Sequence, residues 1–315
     1  MVHLVFGTPC PLATPAANPE TVPMDHAILG AGAIGGLMAT ALASAGENVT
    51  FIVRPDKLAA HPNTLSLERP SGVLAAPAKV AARLNQHADV LWIATKTYQL
   101  DSALSVIEAP PTMIVPLLNG VDHVAVLRAR FGEDRVVPAT IAVEAERNAL
   151  GRFVHRSPVR LNVAARGEPM LKGVVARLEE LGFQCRFIGD EATLLWSKLC
   201  FLAPFALVCS ASGKTLGEIL ADPEWKATLG TGVAEACAVA TKAGARVDAS
   251  KVLAIFPDAP PTMRASMAKD LAAGRQLELD GIAGPIVRCG ARCGVPVPTT
   301  ASLIAKIESL VAQLA

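Results

Sequence analysis

The stretch Ala27-Ile28-Leu29-Gly30-Ala31-Gly32-Ala33-Ile34-Gly35-Gly36 constrains the fold of this chain more than any other. It reads as a short apolar strand, a turn built on Gly30, Gly32 and Gly35, and the first turn of a helix. Each glycine answers a separate demand. Gly30 lets the chain turn tightly out of the strand, Gly32 lets backbone N–H groups approach a pyrophosphate, and Gly35 lets helix pack closely on strand. The helix N-terminus then offers unpaired donors and the positive end of its dipole. Glycines at this spacing also mark ordinary turns. The strand before them and the helix after them make this a dinucleotide-binding turn, with Gly30, Ala31, Gly32, Ala33, Ile34 and Gly35 as candidate contacts.

The helix predicted from Ile34 to Ala45 stops at Gly46, and Asn48 to Val53 reads as a second strand. That strand ends at Arg54, 22 residues beyond Gly32. An acidic residue there would bind the ribose 2′-hydroxyl of NAD, whereas a cation accommodates the 2′-phosphate of NADP. Arg54, with Lys57 nearby, therefore indicates NADPH; the competing reading is a solvated arginine at a strand end. Residues Thr64 to Glu68 and Val73 to Val80 are expected to be strands that extend or decorate the sheet. Val90 to Ala94 and Met113 to Leu118 read as buried parallel strands delivering Thr95-Lys96 and Asn119-Gly120 at their carboxyl ends. Ligands of open α/β sheets sit beyond such ends, so Lys96 and Asn119 are candidate cofactor and substrate contacts, although both residue types also serve as plain turn residues. Segments at 136–143, 152–155 and 160–163 are expected to close the sheet, followed by a helix over 171–181 and a strand over 185–188.

Near Gly189 the pattern changes. From Glu191 onward it is helical almost to the end, with breaks expected at Gly213, Gly217, Pro223, Gly244 and Pro257 to Pro261. A chain of 315 residues suits two domains. The expected division is a disordered extension over 1–23, a dinucleotide-binding domain over 24–190 and a helical domain over 191–315. The extension holds five prolines and no signal-peptide pattern, and Met24 stands directly before the first strand as an alternative start.

Composition narrows the function further. Lys and Arg number 29 against 28 for Asp and Glu, which leaves no electrostatic handle for nucleic acid or an anionic membrane. The longest apolar run, Leu199 to Cys209, contains Pro204 and is too short to span a bilayer. Seven scattered cysteines suggest free thiols and a cytoplasmic location. Cys289 and Cys293 share a helical face, but no further ligand completes a metal site, so no metal is expected. Ser212-Gly213-Lys214-Thr215 echoes a phosphate loop, but Val208 stands where its first glycine belongs. His123 follows Asn119-Gly120 closely and reads as a solvated helix histidine or a residue bordering the cleft.

The second half supplies further motifs. They are Leu195-Trp196-Ser197-Lys198-Leu199, Gly217-Glu218, Ser266-Met267 with Asp270, Glu278 with Asp280-Gly281, and Gly294-Val295-Pro296-Val297-Pro298. With the glycine turn, Thr95-Lys96 and Asn119-Gly120, their order and spacing resemble the ketopantoate reductases (2-dehydropantoate 2-reductases) from Met24 to the C-terminus. The resemblance implies an α/β fold with an N-terminal Rossmann-type doubly wound sheet and an all-α C-terminal domain, similar to that of 6-phosphogluconate dehydrogenase. It also implies NADPH-dependent reduction of a 2-oxo acid to a 2-hydroxy acid, a place in pantothenate biosynthesis, and a cleft between the domains. On it, Lys198 is the catalytic lysine, Glu278 its accompanying carboxylate, Ser266 a contact to the substrate carboxylate, and Asn119 and Lys96 polar residues at the cofactor–substrate junction.

The chemistry agrees. Hydride arriving at a carbonyl carbon leaves charge on oxygen, which an ammonium stabilises before supplying the proton. On one unbroken helix, Ser266 and Glu278 would lie about 18 Å apart, too far to share a small substrate, so a helix break near Gly274 is expected. Leu202 and Ala206, four and eight residues past Lys198, stand at substrate-binding positions where the family usually has asparagine, as does Leu216. A substrate less polar than ketopantoate is therefore expected to be accepted. The alternatives are a two-domain dehydrogenase for an opine, imine or 3-hydroxy acid, and a non-catalytic NADP-binding regulator. A homodimer through the helical half is left open.

Overall fold

The computed structural model describes residues 22–314. The extension expected over residues 1–23 lies, but for its last two residues, outside that range. The chain opens with β1 (Asp25–Leu29), α1 (Ala33–Ser44), β2 (Asn48–Ile52) and the short α2 (Pro55–Leu58). There follow β3 (Thr64–Arg69), β4 (Gly72–Pro77), β5 (Lys79–Ala81), β6 (Val90–Ile93), α3 (Leu100–Leu104), β7 (Met113–Pro116) and α4 (His123–Phe131). Five of these strands form a parallel sheet in the order β5-β2-β1-β6-β7.

Strand alternation explains how this sheet is covered. Ile28, Phe51, Trp92 and Val115 point to one face and pack with Leu37, Met38 and Leu42 of α1. Their neighbours Leu29, Ile52, Leu91 and Ile114 point to the other and pack with Leu100 and Leu104 of α3 and Val124 and Leu127 of α4. Helices on both faces of a parallel sheet are the doubly wound arrangement that the glycine turn predicts.

The next strands do not simply close that sheet, as the sequence suggests. They are β8 (Ala139–Ala142), β9 (Ala145–Ala149), β10 (Arg152–His155) and β11 (Arg160–Ala164), followed by α5 (Glu168–Glu180) and β12 (Gln184–Ile188). They form two small mixed sheets, β4-β3-β10-β9 and β12-β11-β8, and Val136, just before β8, bridges to Ile114 of the main sheet. The segment read as one strand from Val73 to Val80 divides accordingly, β4 joining β3 and β5 joining β2. The four-stranded sheet packs on α1 because Gly36 has no side chain: a Cβ there would overlap the ring of Phe153 on β10.

From Glu191 the fold is helical. Its axis is α6 (Glu191–Ser212), begun by the Asp190 side chain accepting from the Thr193 N–H and ended by Gly213 in the left-handed region. Then come α7 (Leu216–Ala221), α8 (Pro223–Lys242), α9 (Ala249–Leu253), α10 (Ser266–Ala272), α11 (Leu279–Cys293) and α12 (Pro298–Leu314). The predicted break at Gly217 falls one turn earlier. Gly217 lies inside α7, which a reciprocal Thr215–Glu218 capping box starts. By length and composition α6 is apolar enough to cross a membrane, yet 67% of its apolar window is buried inside the protein. Trp196, Leu199, Phe205 and Val208 form its share of the second core.

Candidate active site

The glycine turn has the geometry its sequence requires. Gly30 adopts φ +117°, and a Cβ there would sit 2.7 Å from the backbone carbon and oxygen of Ala94. A Cβ on Gly35 would overlap the carbonyl oxygen of Gly30. Gly32 differs: it is the N-cap of α1, and a Cβ there would meet nothing within 4 Å. No side chain caps α1 and its first turn holds no acidic residue, so its leading N–H groups have no side-chain acceptor. Beside the turn, the Thr95 hydroxyl is buried without a partner.

Arg54 and Lys57 stand at the carboxyl end of β2, next to that turn, because β2 pairs with β1 in register from Asp25–Asn48 to Leu29–Ile52. Arg54 precedes α2 and its side chain is 75% exposed, with the Asp56 carboxylate at 3.6 Å. Lys57 reaches the same carboxylate at 3.3 Å.

Lys96 and Asn119 follow the next two strands outward, β6 and β7, and meet the helical half there. The chain breaks between α10 and α11, with Gly274 at φ +63°, as expected. The break returns Glu278, at the start of α11, to the mouth of the parallel sheet. Its carboxylate is 4% exposed and accepts from Lys96 Nζ at 2.7 Å, from the Thr97 N–H at 3.3 Å and from Asn119 Nδ2 at 3.4 Å. Asp270 on α10 takes a second contact with Lys96 at 3.3 Å and holds Arg275 at 2.8 Å.

This corrects one expectation. Glu278 does not bond Lys198; it pairs with Lys96. Lys198, on the second turn of α6, instead donates to Asn119 Oδ1 at 3.0 Å, so Asn119 lies between the two lysines with its oxygen toward one and its nitrogen toward the carboxylate of the other. The physical consequence is a divided pair. Burial works against the charge of Lys96, but Glu278 and Asp270 more than offset it and hold its pKa above the ordinary lysine value. Burial brings Lys198 down to about 8, and the more distant Glu278 charge opposes this only in part.

His123 is a second correction. It is not solvated: only 5% is exposed, and its ring is enclosed beside the Asn119 backbone. Burial and the neighbouring Lys198 charge lower its pKa to about 4, so it is neutral. Its place in the first turn of α4, directly after Asn119-Gly120, was the available signal. Asp270 and Thr97 also join the cluster without having been singled out as contacts. Asp270 lay within a quoted motif, whereas Thr97 acts through its backbone, which no side-chain pattern reveals.

Other candidates scatter. Ser266 is exposed at the first position of α10, one turn from Asp270. Leu202 is half-buried one turn along α6 from Lys198. Ala206 is fully buried in the helical core and does not reach the cleft, because α8 and its neighbours cover that turn of α6; Leu216 is likewise core. A concavity of about 850 Å³ lined by His26, Glu47, Lys79 and His87 lies at the opposite, amino-terminal edge of the main sheet, away from this cluster.

Comparison with known proteins identifies the family of both halves. The ketopantoate reductase PanE/ApbA family matches residues 26–168, and its C-terminal counterpart matches residues 192–310. The 2-dehydropantoate 2-reductase of Caulobacter vibrioides is 31% identical over 90% of this chain and 98% of its own. The crystal structure of a PanE/ApbA family ketopantoate reductase from Ralstonia eutropha superposes with a TM-score of 0.82 at 25% identity, covering 92% of this chain and 99% of that one. The ternary structure of D-mandelate dehydrogenase with NADH and anilino(oxo)acetate shares the fold, with a TM-score of 0.81 at 22% identity over 92% of this chain and 99% of that one. Since both halves match in order and nearly end to end, the chain belongs to the ketopantoate reductase family and is an oxidoreductase acting on a CH–OH group.

Proposed function

We propose that this protein reduces a 2-oxo acid to a 2-hydroxy acid with NADPH, and that ketopantoate or a less polar analogue is the substrate. The observation that carries this reading is the division between the two lysines. Lys96 pairs directly with Glu278 and Asp270, which leaves Lys198 hydrogen-bonded to a neutral amide oxygen with a pKa of about 8. A lysine tied directly to a carboxylate would hold its proton too tightly. One poised near 8 is charged at neutral pH and still able to release the proton, as a general acid must.

The residues present fit a dinucleotide. The space at Gly32, the uncapped start of α1 and the orphaned Thr95 hydroxyl form a cradle with donors and no competing acid. Gly30 to Gly35 would hold the pyrophosphate, and Arg54 and Lys57 the 2′-phosphate. When bound, the dinucleotide supplies hydride to the substrate carbonyl carbon. The chain's own groups do the rest. Lys198 Nζ donates to the carbonyl oxygen as charge develops there and then gives up its proton, a role worth about 10²–10⁴-fold. Asn119 orients Lys198, Ser266 binds the substrate carboxylate, and Glu278, held in place by Lys96, faces a substrate hydroxyl.

Leu202 favours the less polar substrate, since it offers methyl groups one turn from Lys198 and no hydrogen bond. The test is NADPH oxidation across 2-oxo acids of graded polarity, with Lys198→Ala as control. Turnover of ketopantoate or an apolar 2-oxo acid, lost in the variant, is expected. Full activity in Lys198→Ala, or no turnover with any 2-oxo acid, would overturn the assignment.

A further inference from the structure

Arg147 lies outside every motif above, on β9 of the small sheet. Its position is fixed from below. β9 pairs antiparallel with β10, and Arg147 stands directly opposite Phe153, whose ring packs into the space left by Gly36 of α1. Side chains opposite one another in such a pair share a face, so Arg147 is aimed at α1. It reaches the start of that helix, where Nη1 donates to the carbonyl oxygen of Ala31, inside the glycine turn, at 2.8 Å.

The placement is electrostatically odd. The turn ends in an uncapped helix N-terminus, already the positive end of a dipole, with no acidic residue in its first turn. Among the described residues, Arg147 has no carboxylate partner, although Glu144 and Glu146 lie within three residues of it; both turn instead to Lys269 of α10, at 3.2 and 3.4 Å. A guanidinium carries five donors, and only one is used here. An exposed cation held against a positive helix end, with donors to spare and no carboxylate among the described residues to satisfy it, is arranged for an anion that arrives.

The geometry points to Arg147 as a second phosphate-binding arginine, which clasps the pyrophosphate of the dinucleotide across the glycine turn while Arg54 reads the 2′-phosphate. The inference rests on the dinucleotide reading proposed above. It extends that reading from the turn's backbone to a side chain of a different sheet.

The two phosphates separate in a binding experiment. Dissociation constants for NADPH and NADH are measured by nicotinamide fluorescence, and that for 2′-AMP by competition, on the wild type, Arg147→Ala, Arg147→Gln and Arg54→Ala. Arg147→Ala is expected to weaken NADPH and NADH by the same factor, about tenfold, and to leave 2′-AMP unchanged. Arg54→Ala should weaken NADPH and 2′-AMP and spare NADH. Arg147→Gln keeps an amide to hold the Ala31 carbonyl but no charge, and should lose as much affinity as Arg147→Ala. Unchanged dinucleotide binding in Arg147→Ala would overturn the inference. So would a parallel loss of 2′-AMP, which marks a collapsed turn, or full recovery in Arg147→Gln, which marks a mere clamp. Failure of the wild type to bind either dinucleotide would instead remove the underlying reading, and the inference with it.

Discussion

Lys198 and Lys96 share one carboxylate unequally, and the pH dependence of both activity and stability follows. A general acid must be protonated, so kcat/KM should fall as pH rises through about 8, the value burial gives Lys198. Replacing Lys96 by Met leaves Glu278 without its nearest cation, 2.7 Å away, and returns its charge to Lys198. The alkaline limb in Lys96→Met should then move upward by about one unit, a shift that a pH–rate profile reads even where kcat falls. An unmoved limb would show that Lys198 does not set it. Stability runs the other way. The folded pKa of about 8 lies below the unfolded value of 10.5, so between those pH values the unfolded chain binds more protons and stability rises with pH. Below pH 8 the full burial penalty applies. Lys198→Met should therefore abolish turnover yet stabilise the fold at pH 7 by about 1–3 kcal/mol, less what the orphaned Asn119 oxygen returns. Thermal melts of both proteins at pH 7 and pH 10 check this, since the difference should shrink at the higher pH.

Among the elements, the glycine turn shows how one motif divides between folding and function. Gly30 and Gly35 are fixed by contacts inside the protein, whereas Gly32 meets nothing. Gly30→Ala must strain a backbone at φ +117° and push on Ala94, and should cost about 2–4 kcal/mol. Gly32→Ala keeps an allowed extended conformation at φ −82° and should melt like the wild type, but its methyl group fills the space offered to a ligand. Loss of NADPH binding with an unchanged melting temperature is the expected result; a large loss of stability would show that Gly32 serves the fold. The same contrast explains what the sequence could reveal. Short continuous apolar runs and the glycines or Asp190 at helix ends make β1, β2, β6, β7, α1 and α6 readable, because each is specified by its own residues. The two small sheets were not, because pairing β3 with β10 and β8 with β11 depends on residues far apart in the chain. The partner of Glu278 was hidden for the same reason. Residue types placed it near a lysine, but only the turn after α10 decides between Lys96 and Lys198.

At the scale of the whole molecule, the cleft depends on how closely the two domains meet. Exposed ion pairs cross between them, such as Lys269 with Glu144 and Glu146, yet with side chains 40–52% exposed each is worth little. The tighter constraint is steric. Gly281, on the first turn of α11, sits so close to Thr97 that a Cβ would overlap the hydroxyl and lie 2.7 Å from the Thr97 Cβ and Cγ2. Gly120 approaches the Gly281 carbonyl just as closely, at φ +81°. These two glycines let α11 seat Glu278 against Lys96 and the Thr97 N–H. Gly281→Ala should therefore push α11 outward without disturbing either core, and a displacement of about 1 Å at the reacting groups costs up to about 10²-fold in rate. The expected outcome is a fall in kcat/KM with a melting temperature near that of the wild type. Thr97→Gly removes all three obstructing atoms, so the double variant should regain much of the lost rate. If the two substitutions merely add, the defect lies elsewhere, and backbone apposition at Gly281 is not what aligns the cleft.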